Sequence, residues 1–181
     1  MCSEQEKPRG GISRRSFATM AVASAGLSLL PIRTHAAGTA IDGVGIMCID
    51  YRLVDPAVKF FDQKMPGRYD LVALAGASLA SVSQMFPASV DALWNHVTIA
   101  HTLHAIKHVV VLDHRDCGAY KQEFGPRYAG DNGVAEFAQH QKVMERMRTQ
   151  FLARGFDRLG LELQFFLMSQ TAPYRVDPVP A

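Results

Sequence analysis

The residue types best suited to chemistry in this chain fall in two short stretches, Cys48-Ile49-Asp50-Tyr51-Arg52 and His114-Arg115-Asp116-Cys117-Gly118. An imidazole nitrogen and a thiolate sulfur three positions apart can turn towards one point, and Zn²⁺ favours that pair of donors. Two further ligands would have to come from elsewhere, and the stretch from Cys48 to Arg52 offers them. Cys2 lies near the start of the chain, apart from these stretches; each of the other two cysteines has a metal-binding neighbour, His114 for Cys117 and Asp50 for Cys48, which favours a metal centre over a disulfide. Considered singly, Cys48 is an ordinary small buried residue and Asp50 with Arg52 a surface ion pair of little energetic weight. The spacing of the whole set gives it meaning.

These residues must be carried by elements that bring distant stretches together. Val109 to Leu112 is a β-branched apolar run, expected as a strand buried on both faces, with His114 and Cys117 just beyond its carboxyl end. Val44 to Ile49 predicts a first strand with Cys48 at its carboxyl end. Asp55-Pro56, a capping carboxylate with proline in the first turn, predicts a helix to about Met65. A short strand, Leu71 to Leu74, precedes the small-residue turn Ala75-Gly76-Ala77-Ser78, which lets the backbone pass close to something. A loop containing Pro87 is expected to lead into a helix from about Val90 to Ile106. After Cys117 a short helical turn runs through Phe124, with Asp116 expected to cap it, and a loop follows from Gly125 to Gly133. Phe137, Val143, Met144, Met147, Phe151 and Leu152 recur at helical spacing between Val134 and Arg154. Leu161 to Met168 is expected as the last strand and Pro173 to Ala181 as an irregular tail. Alternating strands and helices predict an α/β fold: a mostly parallel central sheet flanked by helices, with ligands at the carboxyl ends of the strands. Asp42-Gly43-Val44-Gly45 is not a dinucleotide fingerprint, because its glycines precede the strand rather than follow it.

The first 36 residues stand apart. Ser13-Arg14-Arg15-Ser16-Phe17 matches the twin-arginine export pattern, and an apolar run, Phe17 to Leu30, leads to small residues near Ala36. Residues 1–36 are therefore expected to be a signal peptide, with 37–181 as the functional domain, periplasmic or secreted. Of the 19 basic and 17 acidic residues, five and two lie in the leader, so the remainder carries 14 against 15. A net charge near −1 leaves no nucleic-acid footprint and no polybasic membrane patch. The partners expected of the mature domain therefore include neither nucleic acid nor membrane.

Cys-x-Asp-x-Arg after a first strand and His-x-x-Cys-Gly after a later one, about 65 residues on, resemble the β-class carbonic anhydrases. Cys48 to Leu53 is similar to the small forms of that class. The resemblance covers roughly Gly45 to Lys121 and implies a β-carbonic-anhydrase-like zinc domain. It implies that Cys48, His114 and Cys117 bind Zn²⁺, a set that leaves one position open, as in catalytic zinc sites. Asp50 then either orients the metal-bound water or takes the fourth position as a ligand, and Arg52 pairs with it and holds it off the metal. The implied activity is reversible hydration of CO₂ to bicarbonate by a metal-bound hydroxide. The alternatives are hydrolysis of carbonyl sulfide or carbon disulfide on the same fold, or zinc binding without turnover. The resemblance also implies a homo-oligomer, a dimer or larger. Two departures stand out. Ala73-Leu74-Ala75-Gly76-Ala77 replaces a turn that usually carries side-chain donors, and Asp113 replaces the glycine before the zinc histidine, with its carboxylate expected close to the metal shell.

Overall fold

The computed structural model describes residues 40–66, 68–128, 130 and 133–181. The expected leader, residues 1–36, lies outside the described residues. Strand β1 (Gly43–Met47) pairs in parallel with β2 (Tyr69–Ala73) and with β3 (His108–His114), and β4 (Glu162–Met168) pairs in parallel with β3. A three-residue β5 (Val176–Pro178) adds antiparallel to β4, so the sheet order is β2-β1-β3-β4-β5. The fold is α/β with a mostly parallel sheet flanked by helices, as the alternation of elements predicts. The tail expected to be irregular thus supplies an edge strand, with Pro178 at a rim where its missing N–H costs little.

Alternation along the strands divides the core in two. Val44, Ile46, Val109, Val111, Phe165 and Leu167 point to one face. There they pack against Leu93, Trp94 and Val97 of helix α2 (Pro87–His104) and Met144, Met147 and Phe151 of helix α4 (Val134–Ala153). Met47, Val110, Leu112 and Met168 point to the other face, against Ala57 and Phe61 of helix α1 (Val54–Lys64). Gly45 belongs to this second face. A Cβ there would sit 3.0 Å from the Phe61 ring, so only glycine lets the fully buried phenylalanine lie directly on the strand.

Element ends differ from expectation for local reasons. Pro87 is the first residue of α2 rather than part of the loop before it, the position where its fixed φ and missing N–H suit a helix. Asp55 sits within the first turn of α1 and makes no cap. The chain enters α1 through a 3-10 turn, Tyr51–Leu53, capped instead by Asp50, whose side chain accepts the Arg52 N–H. Strand β2 begins at Tyr69, two residues earlier than its apolar run suggests.

Register builds the site. Met47 lies opposite Leu112 on one side and Ala73 on the other, so the three chains leave the sheet at one level. Cys48, the turn after β2 and His114 therefore emerge side by side, at the strand ends where parallel sheets leave room for ligands.

Candidate metal centre

Cys48, His114 and Cys117 converge, with one ligand atom from each lying within 4.8 Å of the others. All three side chains are buried. The two sulfurs are 3.9 Å apart, within hydrogen-bonding reach, and are not joined as a disulfide. A tetrahedral ion with sulfur at about 2.3 Å would separate two sulfurs by about 3.8 Å, so the observed gap fits a shared cation far better than a disulfide. His114 Nδ1 lies 2.7 Å from the carbonyl oxygen of Arg115, which can only accept, so Nδ1 carries the hydrogen. In the neutral ring Nε2 is then a bare lone pair, buried and without a hydrogen-bond partner. Ligand histidines are commonly oriented in this way. The donor set and the orphaned nitrogen fit Zn²⁺.

Helix α3 (Gly118–Phe124) begins immediately after Cys117. Cys48 receives a further bond from the turn after β2, where the Gly76 N–H donates to its sulfur at 3.3 Å. Gly76 is left-handed, with φ +80, and a Cβ on it would fall 2.8 Å from that of Leu79. The small-residue turn thus brings its backbone against the Cys48 sulfur.

The three groups hold their protons unequally. Hydrogen bonding from Cys117, with help from His114 and Gly76, outweighs burial and pulls the Cys48 thiol down to about 4. The Cys117 thiol is pushed up, first by its bond to that thiolate and then by burial. Burial opposes protonation of His114, yet the Cys48 thiolate, the Arg115 carbonyl and Asp50 together raise it above the usual imidazole range.

Asp50 borders this group, with Oδ2 3.9 Å from His114 Nε2. Arg52 clasps it: Nη2 donates to Oδ2 at 2.6 Å, Nε to Oδ1 at 3.0 Å, and the Arg52 backbone N–H to Oδ1 at 3.0 Å. The guanidinium holds the Asp50 carboxyl below the usual carboxylate range. Of the residues expected at the site, three form the tight cluster, while Asp50 and Arg52 form a pair at its rim. A gap of ≈ 10 Å³, walled by Met47, Leu53, Leu112 and Met168, lies beside Cys48 and His114. It has room for about one water.

Asp113 does not place its carboxylate in the metal shell. Strand alternation turns it to the face opposite His114, where it is fully buried. Its oxygens accept bonds from the Ser78 N–H (2.8 Å), Ser78 Oγ (2.7 Å), Tyr120 Oη (2.8 Å) and His140 Nδ1 (2.8 Å). This network ties β3, the turn after β2, α3 and α4 together behind the cysteines. Burial, followed by the Asp113 charge, raises the Tyr120 phenol well above its usual range. Sequence reasoning missed Ser78, Tyr120, Glu136 and His140. A signal for two of them existed, because Glu136 and His140 share the stripe of Val143, Met144, Met147 and Phe151 and are buried with it. Nor does Asp116 cap α3; Cys117 holds the cap position, without a side-chain bond.

Three comparisons bear on this arrangement. A family model described as "Putative carbonic anhydrase" matches residues 39–152. Among curated proteins, an uncharacterised protein of Rickettsia conorii is 35% identical over 104 residues, covering 57% of this chain and 55% of its own. An uncharacterised protein of Rickettsia bellii is 40% identical over 78 residues, 42% of this chain and 48% of its own. The chain therefore spans about half the length of the curated relatives it matches. Among solved structures, a carbonic anhydrase from Streptococcus mutans superposes with a TM-score of 0.51 at 17% identity, covering 94% of this chain and all of that one. That likeness concerns the fold.

Proposed function

Because the chain belongs to the carbonic anhydrase family whose model spans residues 39–152, we propose that it binds one zinc ion through Cys48, His114 and Cys117 and interconverts CO₂ and bicarbonate. The observation that carries this is the 3.9 Å sulfur pair facing an unpartnered imidazole nitrogen, with an arginine-held carboxylate at the rim. Zinc bound there supplies Lewis-acid activation of water for attack on the carbon of CO₂.

The chain's own groups do the rest. Cys48 and Cys117 ligate as thiolates and His114 through Nε2. Asp50, kept ionised by Arg52, can only accept a hydrogen bond, so it orients a water with one hydrogen towards itself and a lone pair towards the carbon. Mere retention of zinc would require neither Asp50 nor Arg52.

A second reading keeps the site and changes the gas to carbonyl sulfide or carbon disulfide. It draws on the turn Ala73–Ala77, whose side chains offer no hydrogen-bond donor to a polar product. Assaying the zinc-loaded protein with all three gases separates the two readings. Asp50→Asn is expected to keep zinc by metal analysis and to lose most activity in a stopped-flow CO₂ assay. Full activity in that variant refutes the mechanism, and bound zinc with no turnover of any gas makes the protein a zinc binder. We also infer export by the twin-arginine route, from Ser13 to Phe17, and a homo-oligomeric state, both open to cell fractionation and light scattering.

A further inference from the structure

We propose that Asp116 is the positioning residue for Arg52, and that it keeps Asp50 from closing the metal position; this rests on the zinc site described above. The problem it solves is geometric. Asp50 caps the same short turn that carries Arg52, so their mutual bonds fix the pair only to its own loop. Nothing in that pairing sets where the pair stands relative to His114 and Cys117.

Asp116 supplies that reference. Its Oδ2 accepts from Arg52 Nη1 at 3.3 Å and its backbone carbonyl from Arg52 Nη2 at 3.3 Å, across 64 residues of chain. Among the described residues, Arg52 bonds only to Asp50 and Asp116. Asp116 is itself fixed from two other elements. Its N–H donates to Glu136 Oε1 of α4 at 2.6 Å, and Gln170 Nε2, two residues beyond β4, donates to Oδ2 at 2.9 Å. Glu136 is buried and braced by Arg115 Nη1 at 3.2 Å. The residue so held is left-handed at φ +56, unusual without glycine, and it lies between the two ligands of its loop.

With side chains 40% and 32% exposed, the Arg52–Asp116 pair adds little stability. What it contributes is direction. The guanidinium is drawn towards the His114–Cys117 loop on one side and holds Asp50 on the other. Without the Asp116 carboxylate a single carbonyl contact remains, too little to fix the guanidinium, and the Asp50 carboxylate, already 3.9 Å from His114 Nε2, can reach the cation and occupy its open position.

The test uses the full chain loaded with Co²⁺, whose absorption reports its ligands, and thiocyanate as the probe of the open position. Asp116→Gly suits it, because glycine takes φ +56 without strain and both backbone bonds of residue 116 remain. Expected is stoichiometric cobalt binding with thiocyanate affinity weakened about tenfold or more, as when an internal competitor fills the site about nine-tenths of the time. In an Asp50→Asn background, where that anionic competitor is gone, Asp116→Gly should change the affinity by less than about twofold. Equal loss in both backgrounds, or no loss in either, overturns the proposal. An independent readout is the Arg52 Nη1–H resonance, whose acceptor is Asp116 Oδ2, expected to be slow-exchanging in the parent and lost in Asp116→Gly. Its persistence also overturns the proposal, whatever the metal does. Absence of sulfur-to-cobalt absorption in the parent refutes the zinc site instead, leaving the resonance to decide the role of Asp116.

Discussion

Replacing Asp113 by alanine probes the scaffold behind the cysteines. The carboxylate is fully buried and accepts four bonds. After its removal Ser78 Oγ and Tyr120 Oη, 3.0 Å apart, can still satisfy each other. The Ser78 N–H and His140 Nδ1 are left as buried donors without acceptors. Each costs about 1–3 kcal/mol, so the loss should be about 4 kcal/mol once the small void is included. That is a large part of the 5–15 kcal/mol typical of a domain. It should lower Tm by on the order of 10 °C or more. Thermal unfolding followed by circular dichroism, with and without zinc, measures it. Because Ser78 lies two residues from Gly76, whose N–H meets the Cys48 sulfur, zinc affinity should fall as well. A Tm within about 2 °C of the parent, less than about 1 kcal/mol, would refute the view that this network supports the site.

Three further outcomes are expected. Cys117→Ser should bind no zinc under conditions where the parent holds one ion per chain, as metal analysis will show, since a hydroxyl cannot replace a thiolate ligand at neutral pH. Gly76→Ala should fold less stably, by about 1–2 kcal/mol for the left-handed backbone alone, and hold zinc more weakly in a chelator competition. Zinc affinity should rise with pH. Cys117 and His114 both hold their protons above the ordinary values and must release them on binding, whereas Cys48, at about 4, has already lost its own near neutrality. The log of the affinity should climb by about one to two per pH unit between pH 6 and 8, and a flat profile would contradict the proton inventory.

The convergence of Cys48, His114 and Cys117 was legible because chemistry and topology coincide there. Buried β-branched runs mark the parallel strands, and parallel strands bring their carboxyl ends together, so Cys48 and His114 had to be neighbours. The pairing of Asp50 with Arg52 was legible for a similar reason, being local. What stayed hidden depends on which way a side chain faces in three dimensions. Asp113 adjoins His114 in the chain, yet pleating sends the two to opposite faces of the sheet. Its place shortly before Gly118 marks Asp116 as a helix cap, but its left-handed backbone sends its carboxylate to Arg52 and Gln170. Strand β5 escaped because three residues, one half-buried and two exposed, ending in proline carry no periodic signal.

The zinc-edge X-ray absorption spectrum of the purified protein tests the central geometry most directly. Two sulfur scatterers at about 2.3 Å and two lighter nitrogen or oxygen neighbours at about 2.0–2.2 Å are expected, one of the latter an imidazole. A shell without sulfur, or one of three or four sulfurs, would contradict the convergence of Cys48, His114 and Cys117 on one ion with a position left open.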